Sequence, residues 1–352
     1  MHLQICRMNF YQYLCRILLF VGLCFPCSGL KAEGQKDDKN ADSGVAAITR
    51  FHGDVKVLSH PSKQRLGPSP HAMFEGKYYQ LRKAAIGTQL QVGDVIQTGK
   101  QARARIVYRT GDQLTMASSS SYQILDEGKG KEKRAIVDLL FGKIRAMIRQ
   151  RDQETETLEV RSKSMVMGVR GTDFFVAARN GEGAVQLTVL RGKVAVSSPQ
   201  RAGESVDVPA GYSLMVQELP SEKAEQENAP DKAAFQVRPS TKDDVAAISQ
   251  VSRVEPPSEE DLQQSERMAE VQKLEERALQ SLKEDIKDHQ PELYKKLQEI
   301  PAETLNDSDL LQSLTTKDAF EKAPNRPEKE GKSRRFDLDS YGDDVYEKYL
   351  KY

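Results

Sequence analysis

One stretch of the chain places a cation, two small residues, a hydroxyl and a carboxylate within a few positions: GVRGTDFFV, residues 168–176. Arg170 lies between Gly168 and Gly171, and Thr172 and Asp173 follow. Two chemistries fit that spacing. Backbone amides beside an arginine can cradle a phosphate, and near-adjacent glycines can simply turn a chain. A phosphate cradle needs a helix after the glycines, with its N–H groups and dipole aimed at the anion. Here an aromatic, β-branched run follows, and no Gly-Lys-Ser/Thr appears. The context argues against nucleotide binding and for a turn into a strand.

Other reactive residue types form no constellation. The five histidines, His2, His52, His60, His71 and His289, are scattered, and no two stand at metal-ligand spacing. Ser118 to Ser121 lacks the G-x-S-x-G elbow of a nucleophile. No carboxylate pair stands out among the 52 Asp and Glu. The chain therefore presents no catalytic residue, no metal ligand and no cofactor-binding residue, and is expected not to be an enzyme. Arg170 keeps two readings. Its five donors can satisfy carbonyls of the turn, or they can contact a carboxylate or an anionic glycan. The loop EGKGKEKR at 127–134, with Arg145, Arg149 and Arg151, adds to a positive surface. Aromatic residues do not interleave with these charges, which argues against nucleic acid.

The elements that must hold these residues are strands. Between residues 45 and 217 short alternating runs are punctuated by glycine, as in QVGDVIQTG, ARARIVY and AVQLTVLRGKVAV. In residues 102–108 Ala, Ala, Ile and Tyr share one face while Arg103 and Arg105 occupy the other, which predicts a half-buried strand. After Gly171 a strand is expected over Asp173 to Ala178. Phe174 and Val176 face one side and Phe175 and Ala177 the other, so both sides should be covered. ARNGEGA then supplies a hairpin loop, and Val185, Leu187 and Val189 alternate on the return. One element recurs: TRFHGDVKV, DLLFGKIRA and TVLRGKVAV place Gly53, Gly142 and Gly192 at equivalent turns. Many short strands at this spacing predict an all-β domain, sandwich-like or β-roll-like.

Charge divides the chain. Residues 221–352 hold 21 Lys and Arg against 31 Asp and Glu, a net −10, so the preceding part carries +10. Residues 218–257 lose alternation and read as a linker. Ser258-Glu-Glu-Asp has the composition of a helix start. Val271, Leu274, Ala278, Leu282 and Ile286 then mark an apolar stripe across a charged helical segment, 258–300. Residues 301–352 are expected to be low in complexity and mostly disordered. Exposed ion pairs contribute only ~0–1 kcal/mol each, so charge alone predicts that residues 33–220 fold without this arm, which docks loosely or serves a partner.

At the other end, Arg7 and Arg16 precede an apolar run over 17–25, too short for a membrane span. Residues 1–32 read as a signal peptide, starting at Met1 or Met8, and 33–44 as a disordered leader. All four cysteines, Cys6, Cys15, Cys24 and Cys27, lie within the signal peptide, so cleavage leaves no thiol chemistry. A lipid anchor at Cys24 or Cys27 is the less favoured alternative.

Residues 160–198 resemble the core of the FecR-type periplasmic domain. The hallmark V-R-G-T-x-F-x-V corresponds to Val169, Arg170, Gly171, Thr172, Asp173, Phe174 and Val176, and the following V-x-x-G-x-V-x-V to Val189, Gly192, Val194 and Val196. IGTQLQVGDVIQTG upstream and VDVPAGYSLMV downstream resemble the family's flanking patterns, so the resemblance spans roughly 46–217. It implies an all-β FecR-like domain, 45–217, exported to the periplasm or cell envelope. Its partner would be an envelope protein or an anionic envelope polymer. Founding members of the family cross the inner membrane and touch a sigma factor through a cytoplasmic segment. Only 16 residues precede the apolar run here, so a signalling regulator is the second expectation.

Overall fold

The computed structural model describes residues 44–321 except 66, 69, 128–133, 151–157, 180–182, 200–202, 204, 217–234, 259–266, 302–304 and 306–307. The targeting segment with its four cysteines, Arg151, most of the basic loop and the tail beyond 321 lie outside the described residues.

Among the described residues, eighteen strands, numbered in chain order, hydrogen-bond into one continuous sheet that folds into two layers. The first layer runs β5 (Gln89–Leu90), β1 (Ala46–His52), β7 (Arg103–Tyr108), β8 (Gln113–Met116) and the second half of β10 (Arg134–Met147). It continues through β13 (Asp173–Ala178), β14 (Val185–Arg191), β17 (Tyr212–Val216) and β18 (Gln236–Pro239). The second layer runs β3 (His71–Phe74), β4 (Lys77–Lys83), β2 (Val55–Ser62), β6 (Val95–Thr98), β9 (Ser120–Glu127) and the first half of β10. It ends with β11 (Leu158–Arg161), β12 (Val166–Val169), β15 (Lys193–Ser197) and β16 (Ser205–Pro209). Every pairing is antiparallel except β10 with β11. Strand β10 belongs to both layers, and Ile48, Ile106, Tyr122, Phe174, Val176, Val189, Val196 and their neighbours fill the space between them.

The recurring glycines mark where the chain passes from one layer to the other. Gly53 separates β1 from β2, Gly142 bends β10, and Gly192 separates β14 from β15, with φ of 76°, 93° and 76°. The corners also abut. A side chain at Gly142 would begin 2.4 Å from the Ser120 Cα, and one at Gly192 would begin 2.6 Å from the Gly171 carbonyl oxygen. Left-handed backbone and close approach together require glycine there.

Among the described residues, four helices cover the outer face of the first layer: α1 (Lys242–Ser252), α2 (Met268–His289), α3 (Pro291–Leu297) and α4 (Ser308–Glu321). All five residues of the predicted stripe are buried. Leu274 and Ala278 pack on Ala47 and Val107. Leu282 and Ile286 join Leu293, Leu297 and Leu311 over Met147. Ile248 of α1 covers Phe175, Ala177 and Leu190. Loose docking is therefore not what the structure shows: the arm buries an apolar stripe on the sheet, a force that a count of exposed charges leaves out. Strand β7 is likewise not half-buried. Its Ala104, Ile106 and Tyr108 face the sandwich core, yet Arg105 on the opposite face is 0% exposed beneath the helices. Within the residues read as a linker, β18 and α1 form. Thr241 and Asp244 make a reciprocal capping box that starts α1. Ser258 is exposed coil, and the helix carrying the stripe begins at Met268 with Arg267 at its N-cap.

Candidate functional site

The motif residues lie at the corner between β12 and β13. Gly171, with φ 61°, turns the chain from the second layer into the first, and a side chain there would begin 2.9 Å from Gln150 Cβ. Val169, Thr172, Phe174 and Val176 are buried, and Phe174 and Val176 enter the core between the layers. Phe175 and Ala177 face the helices, so β13 is covered on both sides as its aromatics predict. The β13–β14 register shifts between Asp173 and Phe174, a bulge that doubles residues opposite the start of the strand. Gly192 presses its backbone against Gly171 and Thr172, which ties the motif to the β14–β15 corner.

Asp173 faces the helical layer. Arg145 donates to both its oxygens, Nε at 2.9 Å and Nη2 at 2.6 Å, and also to Thr316 of α4 at 3.0 Å. Arg145 was expected on a positive surface, but its side chain is 4% exposed and that of Asp173 1%. The reason is the helical layer above it. Arg170 is different: it is exposed, and no partner for its side chain occurs among the described residues. Two other cations adjoin residues that pack at that corner, Arg149 beside Gln150 and Lys193 beside Gly192. Arg149 is exposed with Glu284 at 3.6 Å, and Lys193 is exposed with Asp207 at 2.7 Å.

Three further arginines on the same sheet face escape a reading of local motifs. Arg50 of β1 donates to both Glu275 oxygens at 3.2 and 3.0 Å and to Asp309 at 3.3 Å. Arg105 of β7 pairs with Asp309 and lies 3.9 Å from Glu275. Arg191 of β14 donates to Asp285 at 2.7 Å. Strands thus supply the cations, and α2 and α4 supply the acids. Burial alone would push the Glu275 carboxyl up, but the Arg105 and Arg50 guanidiniums, with hydrogen bonds from Thr49 and Arg50, hold it below the usual range. At Asp285 burial outweighs the pull of Arg191 and His289, and its carboxyl is pushed up. Burial likewise lowers the Arg105 guanidinium. Of the three, only Arg105 stands at the outward phase of its strand. Arg50 and Arg191 share the phase of the core residues before them, and register shifts between Ile48 and Arg50 and opposite Asp173 and Phe174 turn them to the helices.

Residues 94–195, from the turn before β6 to the middle of β15, match the family model described as FecR protein. The chain carries a FecR domain. That domain contains the whole motif corner, both halves of β10 and Arg105, Arg145 and Arg191, while Arg50 and the helices fall outside it. A comparison with curated proteins finds no match. Two crystal structures of a protein described as a candidate anti-sigma factor from Parabacteroides distasonis ATCC 8503 are similar at 15% identity. They cover 44% of this chain and have TM-scores of 0.34 and 0.35, too low to transfer a role. This chain spans 63% and 64% of those chains. Among the described residues of the FecR domain and its helices, no group of three metal-binding side chains occurs, and no helix is long and apolar enough to cross a membrane.

Proposed function

We propose that this protein is an exported, non-catalytic recognition module of the cell envelope. Its FecR domain would meet a partner protein or an anionic envelope polymer at the corner of Arg149, Arg170 and Lys193. The supporting observation is the split within the motif. Its apolar, hydroxyl and carboxylate members, Val169, Thr172, Asp173, Phe174 and Val176, are buried in the fold, while Arg170 stands exposed without a partner among the described residues. An unpaired guanidinium at a rigid corner suits a carboxylate, which it binds bidentately. A photo-crosslinker placed at position 170 in intact cells tests this. A discrete adduct absent from a control at the exposed helix residue Lys317 supports it, and identical adducts from both positions would refute it.

The FecR family match favours a second reading, a signalling regulator that relays envelope state to a membrane partner. Deleting the chain should then change the output of one sigma-dependent promoter set. Unchanged transcription across envelope stresses would remove this reading and leave the first standing.

A further inference from the structure

A cavity of about 230 Å³ opens between α1, α4 and the arginine face, lined by Arg145, Ser249, Ser252, Arg253, Asp309 and Ser313 among others. Its chemistry is cationic once the internal pairs are assigned. Asp309 is already engaged by Arg50 and Arg105. Arg145 gives Nε and Nη2 to Asp173 and Thr316, and its Nη1 makes no hydrogen bond among the described residues. Arg253 is exposed at the C-cap of α1. Its backbone carbonyl accepts from Arg103 at 3.2 Å, while its guanidinium has no partner among the described residues. Ser252 is 4% exposed, and its buried Oγ lacks any hydrogen-bond partner among them. A buried hydroxyl left unpaired is uncommon, because the lost hydration costs roughly 1–3 kcal/mol.

Helix ends bear on the sign of the bound charge. The first turn of α4, with Asp309 and Leu310, brings its positive end to the cavity, and the last turn of α1 brings its negative end. These oppose each other and leave the two guanidiniums to decide. We propose that this cavity binds a small oxyanion, a carboxylate or a phosphate group, held by Arg253, the free Nη1 of Arg145 and the Ser252 hydroxyl. The volume lies below the range of drug-sized sites, roughly 300–1,000 Å³, and suits an inorganic phosphate or the acidic end of a larger ligand. The site is separate from the Arg170 corner, so either can fail without the other.

The test uses the full chain with sodium phosphate or sodium acetate as probes, against sodium chloride at equal ionic strength, followed by calorimetry and thermal melting. Saturable binding is expected. Arg253→Gln should weaken it about tenfold, the loss of one charge-assisted hydrogen bond, whereas Arg170→Gln should leave it unchanged. Binding of phosphate alone identifies a phosphoryl ligand, and binding of both anions identifies a site that accepts carboxylates. No saturable binding beyond chloride, or equal weakening by both substitutions, would overturn the proposal, since the latter assigns the effect to net surface charge.

Discussion

Within the motif, neighbouring residues have opposite fates, and substitutions should separate them. Gly171 has φ 61° and no room for a side chain beside Gln150. Gly171→Val should cost roughly 1–3 kcal/mol from backbone strain, read by urea denaturation. Arg170→Ala, at an exposed position, should stay within about 0.5 kcal/mol of the parent. Equal losses from the two would return Arg170 to a structural role in the turn. Asp173→Asn should behave unlike either, because it strands the Arg145 guanidinium in the interior; breaking a buried pair on one side costs about 3–5 kcal/mol. A loss under 1 kcal/mol would mean that the pair is solvated in solution. The spacing around Arg170 and Gly171 revealed the turn and the strand. It did not reveal that Asp173 is held by Arg145, 28 positions away, because a pairing across strands leaves no mark in local spacing.

The helices and the first sheet layer form one element pair whose faces were each legible and whose meeting was not. The stripe from Val271 to Ile286 specifies a buried helix face. The alternation in β7 specifies which residues enter the sandwich core, but it labels Arg105 as outward and hence wet. Helix docking reverses that label. Removing residues beyond 240 would expose Val107, Phe175 and Leu190 and strip the acids from Arg50, Arg105 and Arg191. A chain ending at 240 is therefore expected to aggregate or to melt well below the full chain. An unchanged melting temperature would show that the layer is dispensable. Acid should loosen the same contact. Glu275 and Asp244 have lowered carboxyl values: burial raises each, but Arg105 and Arg50 in one case, and Arg238 with Thr241 in the other, more than offset it. Their stabilisation is complete above the ordinary carboxylate range and is lost as pH falls through the depressed values, below about pH 4. Asp285 runs the other way. Its raised value means that protonation on acidification favours the folded state. Helical circular dichroism should hold to near pH 4 and fall below it, and a transition centred near pH 6 would contradict the assignment.

Across the described residues, the helices of the acidic rear lie on the arginines of the first sheet layer, and the pairs of Arg50, Arg105 and Arg191 are buried or half-buried rather than exposed. Buried pairs are screened far less than surface pairs, whose reach in 0.15 M salt is about 8 Å. The melting temperature of the full chain should consequently change little between 0.05 and 0.5 M sodium chloride (roughly a tenfold range of ionic strength). A fall of many degrees would mean that the arm is held by exposed charge after all. The all-β class, the strand from Asp173 to Ala178, the glycine corners at Gly53, Gly142 and Gly192, and the stripe of α2 were legible in the residue order alone. Each follows from periodicity or from a backbone conformation that few residues adopt, and both are local properties. Not legible there were the packing of Gly192 against Gly171, the interior positions of Arg145 and Arg105, and the meeting of Arg253 and Ser252 with Arg145 around one cavity. Those outcomes depend on which faces come together, and charge and hydropathy along a single strand are the same whether the next layer is water or a helix.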